Sequence, residues 1–97
     1  MFIEERKDDK MKGEKIVTLD VREMSPWERH PKIFEIFDNL EEGETLMLIN
    51  DHDPRPLHYE LMHEREGQFE WRSEEKSPRH WEARITKRGT GAAKGAI

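Results

Sequence analysis

The apolar positions of this chain change period several times, and each change falls at a turn-forming residue. Over residues 16–22, Val17, Leu19 and Val21 alternate with their neighbours in a β-branched stretch, which predicts a strand. Ser25, Pro26 and Pro31 interrupt it. Ile33, Ile36, Phe37 and Leu40 then recur at helical spacing with Phe34 widening the stripe, which predicts a helix starting near Pro31. Its stop is the turn at Glu41, Glu42 and Gly43, where glycine takes the left-handed conformation at little cost. Residues 44–50 predict a second strand, with Leu46, Met47, Leu48 and Ile49 apolar without alternation, as in a strand covered on both faces or central in its sheet.

The next turn, Asn50 to Pro54, predicts a second helix over residues 54–66, with Asp53 capping the free amides and Pro54 in the first helical position. Leu57 and Leu61, extended by Met62, face inward and Tyr59 sits at the margin, until Gly67 ends the helix. Residues 68–75 alternate Phe69, Trp71 and Ser73 against Glu70, Arg72 and Glu74, and residues 80–87 alternate Trp81, Ala83 and Ile85 against Glu82, Arg84 and Thr86. Those are two half-exposed strands joined by a hairpin through Lys76, Ser77 and Pro78.

The order β-α-β-α-β-β with a right-handed crossover makes the first two predicted strands parallel and lays both helices on one face of the sheet. The fold class is therefore α/β (α+β): a two-layer sandwich with a four-stranded mixed sheet. Trp71, Trp81, Phe34, Phe37 and Leu48 are the residues expected to carry most of its core.

Charge delimits this domain. Residues 1–15 hold five acids and five bases without a sustained apolar period and read as a disordered leader. Residues 88–97, with Gly89, Gly91 and Gly95 among small side chains, read as a flexible tail. Between them, residues 16–87 carry 17 acidic against 10 basic side chains, which disfavours binding to a phosphate backbone. The 97 residues contain no cysteine, so disulfides, thiolate metal sites, thiol nucleophiles and persulfide carriage are excluded. No apolar run reaches the roughly 20 residues of a spanning helix, and no secretory signal is evident. The expectation is a cytoplasmic protein, a monomer or weak oligomer, that meets a protein partner and neither nucleic acid nor membrane.

Several strings carry a family resemblance. The order of elements, a proline after Arg29 and His30, the Asp53-Pro54 pair and the strand opening over residues 43–46 are similar to TusA/SirA-type sulfur carriers. Residues 19–23 (LDVRE), 26–34 (PWERHPKIF) and 50–57 (NDHDPRPL) more closely resemble an uncharacterised bacterial domain family grouped with those carriers. The resemblance implies a TusA-like fold over about residues 16–87 and an association with haemerythrin-like, metal or nitrogen-oxide functions. It also marks a departure. The carriers place a cysteine directly before the proline that begins the first helix, where the helix dipole stabilises the persulfide; this chain has His30, which forms no persulfide.

Because both helices leave the carboxyl ends of adjacent parallel strands, Arg29 and His30 should share an edge with Asp51, His52, Asp53 and Arg55. His30 and His52 with Asp53, or with Asp51 in its place, then resemble a two-histidine, one-carboxylate set for Zn²⁺ or Fe²⁺. Arg22, Arg29 and Arg55 beside two helix starts offer an anion site instead. The structural alternative makes Asp53 a cap, His52 a turn residue and His30 a polar residue at a helix start. His58 and His63, five apart on one helix, do not share a face and read as solvated, and His80 reads as a turn residue. Trp27 fits a staple on the helix start, with cover for a ligand as its alternative. The acidic runs Glu41, Glu42, Glu44 and Glu74, Glu75 read as solvated surface able to dock a basic partner.

No phosphate loop or nucleophile with its base emerges, so the functional reading is a non-enzymatic accessory or protein-interaction module. A metal- or anion-binding protein is the second reading, and an enzyme with His30 as general base the third.

Overall fold

The four consecutive apolar residues 46–49 do alternate once folded: Leu46 and Leu48 are buried beneath the helices, while Met47 and Ile49 lie half-buried on the opposite face. Their strand is the middle of the sheet, so its neighbours shelter a face that no helix covers. The computed structural model describes residues 2–6 and 15–88. Its elements are β1 (Phe2–Arg6), β2 (Ile16–Asp20), α1 (Pro26–Asp38), β3 (Thr45–Asn50), α2 (Arg55–Glu64), β4 (Phe69–Ser77) and β5 (His80–Lys87). The sheet order is β1-β2-β3-β5-β4, with β2 and β3 parallel and every other neighbouring pair antiparallel.

The α+β architecture and the order β-α-β-α-β-β of residues 16–87 agree with the sequence reading. The sheet gains a fifth strand, because Phe2–Arg6, within the leader read as disordered, pairs along β2. The sequence of that strand, two adjacent apolar residues followed by three charged ones, shows no alternation; an open β2 edge supplies the backbone partners that local pattern does not. Apart from Arg88 and Lys15, the flexible tail and the rest of the leader lie outside the described residues.

Inward positions form one core. Val17, Leu19 and Val21, then Leu46 and Leu48, then Ala83 and Ile85 meet Ile33, Phe37 and Leu40 from the α1 side and Leu57 and Leu61 from α2. Phe37 and Leu48 are fully buried as expected, and Phe34 and Trp71 pack against the cluster from its margin. Trp81 is half-buried and stands outside it: near the hairpin end of β5 its cross-strand neighbours are the polar Asn50 and Glu75 rather than apolar residues. Met62, expected to face inward, is exposed.

Two boundary corrections bear on function. α1 begins at Pro26, not near Pro31: Ser25 is the residue before the first turn, Pro26 occupies the start, and Pro31 is accommodated inside. A proline in the first turn costs nothing because that amide has no partner anyway, whereas Pro31 leaves the carbonyl of Trp27 without its intrahelical donor. His30 therefore sits in the second turn, away from the free amides of the helix start. In α2, Pro54 is the capping residue and the helix runs Arg55–Glu64; Asp53 still serves the turn, its Oδ1 accepting the Arg55 amide at 3.0 Å.

Glu44 also departs from the expected solvated run. It is buried, and its Oε1 accepts the Glu41 amide at 2.8 Å across the turn made by Gly43, whose φ is 89°. Glu41 and Glu42 are exposed, as are Glu74 and Glu75.

Candidate functional site

Parallel β2 and β3 both feed helices at their carboxyl ends, so the loops after Asp20 and after Asn50 are neighbours, as the topology requires. The residue that ties them is Arg29, in the first turns of α1, only 8% exposed. Its Nε donates to the Met24 carbonyl (3.0 Å), Nη1 to Asn50 Oδ1 (2.9 Å) and Asp51 Oδ1 (3.0 Å), and Nη2 to the Arg22 carbonyl (3.2 Å) and Asp51 Oδ2 (3.5 Å). A guanidinium has five N–H donors, and these contacts use them all. The anion that Arg29 holds is thus the chain's own Asp51.

Asp51 is correspondingly acidic. The Arg29 hydrogen bond first, then that from His52, lower its pKa from 3.8 to about 2. The interaction stabilises the fold fully above pH 3.8, where the carboxylate is charged in both folded and unfolded chains, and fades as pH falls through about 2. Because the Asp51 side chain is 37% exposed, the solvent-screened contribution is about 1 kcal/mol. Asp51→Asn should therefore lower stability at pH 7 and weaken its decline between pH 4 and pH 2, as read by urea titrations at each pH.

The remaining residues of the edge are engaged close to home. Arg22 Nε and Nη2 hold the two oxygens of Asp20 at 2.9 and 2.7 Å. Arg55 Nη2 lies 2.8 Å from Asp53 Oδ2. His52 Nδ1 lies 2.8 Å from Asp51 Oδ1. His30 turns to the other helix, its Nδ1 2.5 Å from Glu60 Oε1, and lines a hollow with Phe34, Glu64 and Arg65. The edge exists, but it is a bonded network: among the described residues no group of three or more His, Asp or Glu is placed to hold a metal ion, so His30, His52 and Asp53 are not gathered into one ligand set. Arg22, Arg29 and Arg55, the expected anion contacts, each hold a carboxylate of the chain itself.

Two features escaped the sequence reading. His58 is part of an aromatic stack, its ring parallel to Trp71 at 4.3 Å and edge-on to Phe69 at 6.1 Å; desolvation lowers its pKa, which favours the neutral ring. Trp27 does not staple the helix start; it is 75% exposed. It lines a groove of about 580 Å³ with Glu23, Met24, Ser25, Glu28 and Pro31. Lys32 and Glu35, paired with each other at 3.4 Å, complete that groove, while the carboxylates of Glu23 and Glu28 take no hydrogen bond or ion pair among the described residues. The signal available in the sequence was Pro26 before Trp27, which starts the helix early and places the indole on its first turn.

Comparison of the sequence with known families gives one match. A family model described as "Uncharacterized conserved protein (DUF2249)" matches residues 18–87. No curated protein matches significantly. No solved structure does either.

Proposed function

The chain belongs to the family of uncharacterized conserved proteins DUF2249, and on that premise we propose that it is a non-enzymatic interaction module that docks a basic segment of a partner protein in the groove headed by Trp27. The observation that carries this reading is the indole itself. A tryptophan three-quarters exposed on a helix start, beside a groove of about 580 Å³, leaves a large apolar surface in water that a partner can cover. Tryptophan is also among the side chains that most often dominate binding energy at protein interfaces.

Charge favours a basic occupant. Glu23, which interacts with the Arg22 charge at longer range, and Glu28 flank Trp27, their carboxylates take no hydrogen bond or close ion pair among the described residues, and the whole chain carries a net charge of −5. A lysine or arginine lying over the indole face would add a cation–π contact to those two carboxylates. The polar edge around Arg29 supports the same division of labour, because its side chains are engaged in joining two loops.

The test is a titration with a short Lys/Arg-rich peptide bearing a central leucine, compared with its Glu-substituted counterpart. The basic peptide should bind more weakly as salt rises, and Trp27→Ser should weaken it at least ~30-fold while leaving the unfolding free energy within about 0.5 kcal/mol of the parent. Equal binding of the acidic peptide, or unchanged affinity in Trp27→Ser, would refute the reading.

A further inference from the structure

The sheet face turned away from the helices carries a second unexplained feature. In the β4–β5 ladder Arg72 stands directly opposite Arg84. Like charges in that relation destabilise a sheet, so such a pair ordinarily needs an anion between or beside it. Yet neither guanidinium makes a hydrogen bond or ion pair among the described residues. Two of the nearby carboxylates are engaged elsewhere: Glu82 Oε2 lies 3.1 Å from His80 Nε2, and Glu74 Oε1 lies 3.3 Å from Lys76 Nζ.

Both arginines line a hollow of about 300 Å³ with Ile16, Thr45, Thr86 and Glu70. The register puts Thr45 opposite Thr86, and their hydroxyl oxygens are 2.8 Å apart. Only one hydroxyl hydrogen serves that bond, so the other is left to donate outward. The hollow thus combines two planar forks of N–H donors with a hydroxyl donor, opposed by the one carboxylate of Glu70.

We propose that Arg72, Arg84 and the Thr45–Thr86 pair form a binding site for a small, soluble, doubly charged oxyanion of the phosphate or phosphate-monoester class. Two guanidiniums match a dianion in charge, and each fork presents paired donors to its oxygens. The size of the ligand follows from the surroundings. Residues 16–87 carry 17 acids against 10 bases, a balance that repels an extended polyanion or an anionic bilayer, whereas a single small anion interacts chiefly with the two charges it touches. Glu70 opposes binding and favours the fully engaged dianion over weaker monoanions.

The test follows the Nε–H signals of Arg72 and Arg84 by NMR in the full chain as inorganic phosphate is added, with sodium chloride at matched ionic strength as the control. Both signals should shift and saturate with a Kd on the order of 1 mM. Arg72→Gln and Arg84→Gln should each weaken the response at least ~10-fold, and Glu70→Gln should tighten it several-fold. Removing either arginine relieves the opposed charges, so circular dichroism should show both variants folded. In parallel, vesicles of phosphatidylcholine containing phosphatidic acid should leave the protein in the supernatant. No saturable phosphate response, the same response to chloride, an unchanged response in both arginine variants, or sedimentation with the vesicles would each overturn the proposal.

Discussion

Arg29→Ala is expected to cost about 3–5 kcal/mol, a large part of the roughly 5–15 kcal/mol that holds a typical small domain together. The loss does not come from one ion pair. Truncation removes the common donor for Asn50 Oδ1, for both Asp51 oxygens and for the carbonyls of Met24 and Arg22, at a residue only 8% exposed. Each orphaned acceptor that water does not reach carries its own desolvation cost. Asp51, more than a third exposed, recovers part of its solvation, which places the expected value toward the lower end of the range. Arg29→Lys should recover less than half of the loss, because an ammonium restores the charge and not the fork that spans two loops. Urea unfolding followed by circular dichroism measures this directly: the midpoint should fall with the slope unchanged. A shift below about 1 kcal/mol would mean that the two loops are held together by something other than this residue.

Phe37→Ala should be of similar size, about 3–5 kcal/mol, by a different mechanism. Phe37 is fully buried in the centre of the core, with Phe69 meeting it edge-on at a centroid distance of 6.2 Å. Lys87 adds to the site, its ammonium 5.2 Å from the ring centroid and donating to the carbonyls of Phe37 and Asp38 at the helix end. Removing the ring deletes its transfer energy and leaves a cavity between α1 and the sheet that the well-packed neighbours fill only in part. Phe37→Leu keeps most of the volume and should cost about 1–2 kcal/mol, so the difference between the two variants isolates the cavity. Equal losses would indicate that ring-specific contacts, rather than volume, dominate.

The sequence announces the parts of this fold that depend on local period and misses those that depend on partners across the chain. Val17 and Leu19, Leu46 and Leu48, Ala83 and Ile85 are legible because burial on one face imposes alternation. The pairing of β2 with β3, and with it the adjacency of the loops at residues 21–25 and 51–54, followed from the handedness of a strand-helix-strand crossover. Proline at two places in one helix was harder: Pro31 has the appearance of a helix start, and only the earlier Pro26 makes that start unnecessary. For the same reason His30 looked like a residue at free amides and is found one turn further in.

Partner choice among the polar residues was beyond sequence pattern. Arg29 was legible as a cation near Asp51, but whether it faces outward to a ligand or inward to the loops is decided by its burial, which no spacing encodes. The opposition of Arg72 and Arg84 depends on the β4–β5 register, which shifts between Glu75 and Ser77 near the hairpin, so a one-residue slip would place different side chains face to face. Trp27 was visible as an aromatic beside a turn, and its exposure emerged only from the early start of α1.

The proposed function assigns recognition to the groove at Trp27 and leaves the polar edge at Arg29 as architecture. The most direct test is a ¹H–¹⁵N titration with the Lys/Arg-rich peptide that follows the indole N–H signals of Trp27, Trp71 and Trp81 together with the backbone amides of Asp51 and His52. The Trp27 signal is expected to move and saturate while those of Trp71, Trp81, Asp51 and His52 stay in place. Saturating shifts at Asp51 and His52 with a stationary Trp27 would contradict it.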